Sequence, residues 1–171
     1  MVNGKLLLIY PANIMNYIIR LAILEDLPTL LEFEQGVIQA ERPIDPTIKN
    51  GKISYYDISE LITSDTSDVF VVKIDNKIVA SGYAKIKGDR HYLKHDKIGY
   101  LGFMFVPKEH RGKGINKLIV DALLKWCKER DIFEIRLDVY DENPSAIRAY
   151  EKVGFKKHMI NMRMDITDLD I

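Results

Sequence analysis

The segment Pro107-Lys-Glu-His-Arg-Gly-Lys-Gly-Ile-Asn116 joins two stretches of different hydrophobic period, and that junction restricts the folds open to the chain. Before it, Ile98 to Val106 is a short apolar run rich in Gly, Tyr and Phe, which reads as a buried strand stopped by Pro107. After it, Ile115, Leu118, Ile119, Ala122, Leu123 and Trp126 recur at helical spacing to about Arg130. A strand that feeds a helix through a glycine loop builds an anion site. The first helical turn has amide groups without internal partners, and the aligned peptide dipoles place partial positive charge there. Gly112 and Gly114 let an anion approach the backbone, while Arg111 and Lys113 add charge. A solvated surface turn is the plainer reading of the same residues. The spacing GxxxxGK[ST] is absent, and Lys117 stands where the third glycine of GxGxxG would be, which counts against nucleoside triphosphates and dinucleotides.

The remaining pattern gives an α/β order of strand, two helices, three strands, helix, strand, helix, strand. Tyr17 to Ile23 reads as a strand, and Asp26 as the cap of a helix with Pro28 in its first turn that ends before Pro43. A weaker helix is expected around Ile58 to Ile62. Val69 to Ile74 and Lys77 to Lys85 form an antiparallel hairpin about Asp75-Asn76. Glu134 to Tyr140 is a strand, Pro144 to Val153 a helix ended by Gly154, and His158 to Ile166 a closing strand. This predicts a mixed sheet with helices on both faces.

A chain of 171 residues suits one domain with one substantial core. Basic and acidic residues number 25 each, so nucleic acid is a poor default partner. Cys127 is the sole cysteine, which excludes an intramolecular disulfide and a multi-cysteine zinc site; no metal is expected, and a reducing cytoplasm suits the chain. Cys127 itself falls in a helical pattern and reads as packing. The apolar stretch Leu6 to Tyr10, cut by Pro11, is too short for a membrane span and no signal peptide is evident. Residues 1–16 are read as an N-terminal extension, with Met15 the natural start, and residues 17–171 as the domain.

A second motif gives the first its context. Arg111-Gly-Lys-Gly-Ile-Asn116 resembles the R/Q-x-x-G-x-G/A signature of the GCN5-related N-acetyltransferase (GNAT) superfamily, with Asn116 replacing the usual final Gly or Ala. Asn143-Pro-Ser-Ala-Ile-Arg-Ala-Tyr-Glu-Lys-Val-Gly-Phe155 resembles the N-x-x-A-x-x-x-Y-x-x-x-G-F pattern of the same family. The resemblance covers about residues 17 to 165. It implies a mixed, mainly antiparallel central sheet flanked by helices on both faces, and acetyl-coenzyme A as cosubstrate, its pyrophosphate cradled by Arg111, Gly112, Lys113, Gly114, Ile115 and Asn116. By the same resemblance Met104, Phe105 and Val106 splay from the neighbouring strand and offer backbone groups to the pantetheine arm. Asn143 bonds that arm, and the Tyr150 hydroxyl faces the thioester sulfur.

The chemistry matches those residue types. Acyl transfer to an amine needs a neutral nucleophile and a proton for the leaving thiolate. A phenol with an ordinary pKa of ~10 is protonated at neutral pH, which suits Tyr150 as general acid. No acid lies on the strand Tyr100 to Val106, and Asp138, Glu34, Glu41 and His91 remain candidates for the base. Between Asp26 and Asp65 eight acids face three bases, which hints at a cationic acceptor, while Arg42 could bind an acceptor carboxylate. The expected function is N-acetylation of a primary amine on a small molecule or peptide. The alternative is a non-catalytic acyl-coenzyme A sensor, and exposed strand edges are compatible with a homodimer.

Overall fold

The computed structural model describes residues 8–12 and 15–167, with side chains from residue 17 onward. Six strands form one sheet in sequence order: β1 (Leu8–Ala12), β2 (Met15–Leu21), β3 (Ser67–Ile74), β4 (Lys77–Gly88), β5 (Lys97–Phe105) and β6 (Ile135–Arg136). The first four pairings are antiparallel, and β5 with β6 is parallel. The helices are α1 (Leu27–Glu41), α2 (Ile58–Thr63), α3 (Ile115–Lys128) and α4 (Pro144–Lys152).

Alternation along the strands supplies both faces with apolar side chains. Phe70 and Val72 of β3, Ala80 and Ala84 of β4 and Leu101 of β5 meet Ile119, Leu123 and Trp126 of α3. Val69, Val71 and Tyr83 point the other way, into a cluster with Leu30 and Phe33 of α1 and Ile58 and Leu61 of α2. The expected mixed, mainly antiparallel sheet with helices on both faces is the observed architecture. Asp75 and Asn76 take positive φ values of 46° and 65°, the backbone that a two-residue hairpin turn requires.

Several boundaries differ from the sequence pattern. A strand at Leu8–Ala12, inside the segment read as an extension, pairs with β2; the rest of that segment, apart from residues 15 and 16, lies outside the described residues. The first core strand ends at Leu21, two residues before the expected Ile23. Asp26 occupies the N-cap position of α1 without a side-chain cap: its carboxylate takes Arg20 at 2.6 and 2.8 Å and the Ile23 amide at 2.9 Å, so a stronger charged partner wins. Of the expected strand Glu134–Tyr140, only Ile135–Arg136 is strand, because β5 and β6 part beyond Tyr100. The expected strand His158–Ile166 is not in the sheet; Ile160, Met162 and Met164 are exposed, and Arg163 anchors the segment to Asp45 at 2.9 Å.

Candidate active site

The end of β5 is shaped by a bulge. Ser81 pairs with Phe105 and Tyr83 with Gly102, so Phe103 and Met104 oppose Gly82 alone. Phe103 takes φ 56°, and its carbonyl accepts the Ser81 hydroxyl at 3.1 Å. The extra residue reverses the facing of the strand. Tyr100 and Phe103 lie on the α1 side, Met104 packs toward the α3 side, and Phe105 returns to α1, with its ring 5.0 Å from Phe33. A Cβ at Gly36 would meet the Phe105 ring at 2.4 Å, so only glycine lets α1 lie this close.

Pairing between β5 and β6 is confined to Gly99–Ile135 and Tyr100–Arg136. Met104, Phe105 and Val106 therefore have no ladder partner on that side among the described residues. The Val106 carbonyl is already used, accepting Nε of Arg111 at 2.9 Å, a bond that ties the glycine loop to the strand end.

Within that loop Gly112 and Gly114 adopt φ of 75° and 78°, and no atom lies within 4 Å of where their Cβ would sit. Conformation demands these glycines, and the space beside them is open. Gly114 is the N-cap of α3 and no side chain caps the helix; the Lys117 amide turns back to the Gly114 carbonyl at 3.1 Å, and the amides of Ile115 and Asn116 have no partner among the described residues. Arg111 and Lys113 are exposed beside them, Ile115 is buried in the core as the helix anchor, and Asn116 is an ordinary helical residue in the first turn.

Asn143 caps α4: its Oδ1 accepts from the Ala146 amide at 3.2 Å and the Ser145 hydroxyl at 2.9 Å. Its Nδ2 donors are what it has left for a ligand. Tyr150, on the same helix, is half-buried with its ring 6.0 Å from Phe155. Burial, and then the Glu41 carboxylate, push its phenol up to about 12.

The four candidate bases separate clearly. Glu34 is buried beneath α1 and accepts from the Ser54 hydroxyl and from the amides of Tyr55 and Tyr56 at 2.7 and 2.8 Å, a structural role. His91 is exposed and meets Tyr92 edge to face. Asp138 accepts the Tyr100 hydroxyl at 2.7 Å. Glu41, at the end of α1, faces the Tyr55 hydroxyl and is close enough to Tyr150 to act on its phenol; burial holds its own carboxyl above the usual range.

Besides Glu34, four of the eight acids counted between Asp26 and Asp65 are absorbed by the fold: Asp26 by Arg20, Asp45 by Arg163, Asp57 by the α2 cap and Glu60 by Lys85. Arg42 donates to the carbonyls of Lys49 and Gly51 at 2.6 and 2.5 Å and so holds its own loop. The phenols of Tyr56, Tyr83 and Tyr100 also lie on this face, with Tyr55 edge-on to Tyr56, and no motif in the sequence marks them. Tyr55-Tyr56 beside a polar loop was the one available signal.

A family model described as the Acetyltransferase (GNAT) family matches residues 35–155. The human protein N-acetyltransferase 8B is 29% identical over 101 residues, which is 59% of this chain and 44% of that relative. The chain spans less than half the length of the curated relatives it matches. Among solved structures, a tetramutant of the BH1408 protein from Bacillus halodurans superposes with a TM-score of 0.77 at 24% identity, covering 86% of this chain and 98% of that one. A predicted acetyltransferase from Clostridium acetobutylicum, solved with acetyl-CoA, gives a TM-score of 0.67 at 21% identity, covering 92% of this chain and 100% of the other. Fold and sequence agree: the chain belongs to the GNAT family of acetyltransferases.

Proposed function

We propose that this protein transfers an acetyl group from acetyl-coenzyme A to a primary amine of a small molecule or peptide. The observation that carries the reading is the uncapped N-terminus of α3, opened by two left-handed glycines and tied through Arg111 to the end of β5. A coenzyme pyrophosphate fits that cradle: amides without partners, two exposed cations and no side chain in the approach. Met104 to Val106 and the Nδ2 of Asn143 are proposed to receive the pantetheine arm.

Bound acetyl-coenzyme A would supply the activated thioester. The Tyr150 hydroxyl holds a proton for the departing sulfur, and its raised pKa keeps that proton in place at neutral pH. Glu41 is the acid best disposed to take the proton of an incoming ammonium. Gly36 lies over Phe105, and Glu41 is five residues further along α1, about 7.5 Å, and its charge is felt by the Tyr150 phenol.

The test is thiol release from acetyl-coenzyme A across a panel of amines, with Tyr150→Phe beside the native protein. Turnover should fall about 100-fold in the variant, while stabilisation by coenzyme A is retained. Unchanged turnover would remove Tyr150 from the mechanism. Stabilisation of the native protein without turnover on any amine would favour an acyl-coenzyme A sensor.

A further inference from the structure

The α1 side of the sheet continues past Tyr83 as a lane of charge and phenol. Register places Lys85 opposite Tyr100 and Tyr100 opposite Arg136, and alternate residues share a face. Two cations of this lane have carboxylate partners: Lys85 meets Glu60 at 3.4 Å, and Arg136 meets Asp89 at 2.8 Å and Glu134 at 3.0 Å. Lys87 has no ion-pair partner among the described residues. Its ammonium instead sits 3.3 Å from the centroid of the Tyr100 ring, and the hydroxyl of that ring donates to Asp138 at 2.7 Å.

A phenol hydrogen-bonded to a carboxylate presents an electron-rich face, and such faces attract ammonium groups. This one holds an ammonium already, supplied by an exposed side chain near the end of β4 that can leave by rotation alone. From Tyr100 the aromatic lane runs back along β5: Tyr83 covers Gly102, and Tyr56 lies 5.6 Å from Tyr83 and 5.4 Å from Phe103. Tyr100 to Met104 is about 13 Å of strand, the reach of a long polyamine and beyond that of a short monoamine.

We propose that Tyr100 and Asp138 form a subsite for a second positive charge on the acceptor, and that Lys87 occupies it until a polyamine-like substrate arrives. The inference rests on the acetyltransferase reading and specifies the acceptor class. The Asp138 carboxylate also attracts the Lys87 ammonium, so ring and carboxylate act together as one cation site, whereas Lys85 on the same strand is held by Glu60.

The experiment is calorimetric titration of spermine and of butylamine into the coenzyme A complex at fixed salt, for the native protein and for Lys87→Met, Tyr100→Leu and Lys85→Met. Spermine should bind tighter than butylamine; Lys87→Met should tighten spermine about 5-fold, and Tyr100→Leu should weaken it by a similar factor. Lys85→Met should change neither, and butylamine should be indifferent to all three. Spermine affinity that ignores Tyr100 and Lys87, or responds equally to Lys85→Met, would overturn the subsite. Binding is read without turnover, so a protein that holds spermine in this way but acetylates nothing would refute the catalytic reading alone.

Discussion

Tyr150 and Cys127 are both buried enough to lose their ordinary acidity, and the consequences are opposite. For Tyr150 the shift preserves function. With the phenol pushed up to about 12, the proton it is proposed to donate is retained beyond the ordinary phenol value. The rate should rise with pH as the acceptor amine and Glu41 deprotonate, and should show no alkaline fall below about pH 11. A pH profile that falls near the ordinary phenol value would detach the chemistry from Tyr150. For Cys127 the shift means inertness. The thiol is fully buried against Gly99, whose Cβ would meet its sulfur at 2.7 Å, and burial pushes it up to about 11. Native protein should therefore give no measurable reaction with a thiol reagent over the time of an acetyl-coenzyme A assay, and full reaction once unfolded. Fast labelling of the folded protein would contradict this packing.

At the scale of elements, the acceptor side depends on one buried carboxylate. Glu34 holds residues 54–56 against α1 by accepting from the Ser54 hydroxyl and two successive amides, and Tyr55 and Tyr56 are thereby set on the aromatic face. Glu34→Leu would fill the space but take the acceptor from both amides in a part-buried setting, a loss of about 2 kcal/mol in stability by denaturant titration. Acceptor KM should rise while coenzyme A affinity stays unchanged; equal loss of both would place Glu34 elsewhere in the mechanism. The elements themselves were legible where periodicity is strong. α3, the β3–β4 hairpin and β5 followed from spacing, and the glycine loop from its position between them. Illegible were features that depend on a distant partner. Ile160, Met162, Met164 and Ile166 have strand period, but pairing needs an edge that local pattern cannot reveal. Asp26 has the identity of a cap, but Arg20 takes it, and Asp45 and Glu60 of the same acidic region likewise meet Arg163 and Lys85. The phenol lane was likewise hidden, because it joins Tyr100 of β5 and Tyr83 of β4 to Tyr56 of a distant loop, and the facing of Phe103 beside them depends on a bulge.

Across the whole molecule, stability and site are distributed unequally. The two apolar clusters lie on opposite faces of β3, β4 and β5, and α3 alone buries seven residues. In contrast, α4 has no buried residue, and the segment after it is exposed with Arg163 as its anchor. Elements with few buried contacts open at free energies well below that of global unfolding. The helix that carries Tyr150 and is capped by Asn143 should therefore be the first to open, although both residues belong to the proposed site. Hydrogen exchange on the free protein should show residues 144–166 exchanging far ahead of α3 and the central strands. Coenzyme A contacts proposed for α3 and for Asn143 would couple the two. At a concentration 100 times its dissociation constant the ligand contributes about 2.7 kcal/mol, and α4 should gain protection while the already slow strands gain only their share of the global term. Protection that rises in α3 but not in α4 would mean that the ligand sits on the glycine loop without engaging Asn143. Equal protection of α4 and α3 in the free protein would mean that the site is formed before any ligand arrives.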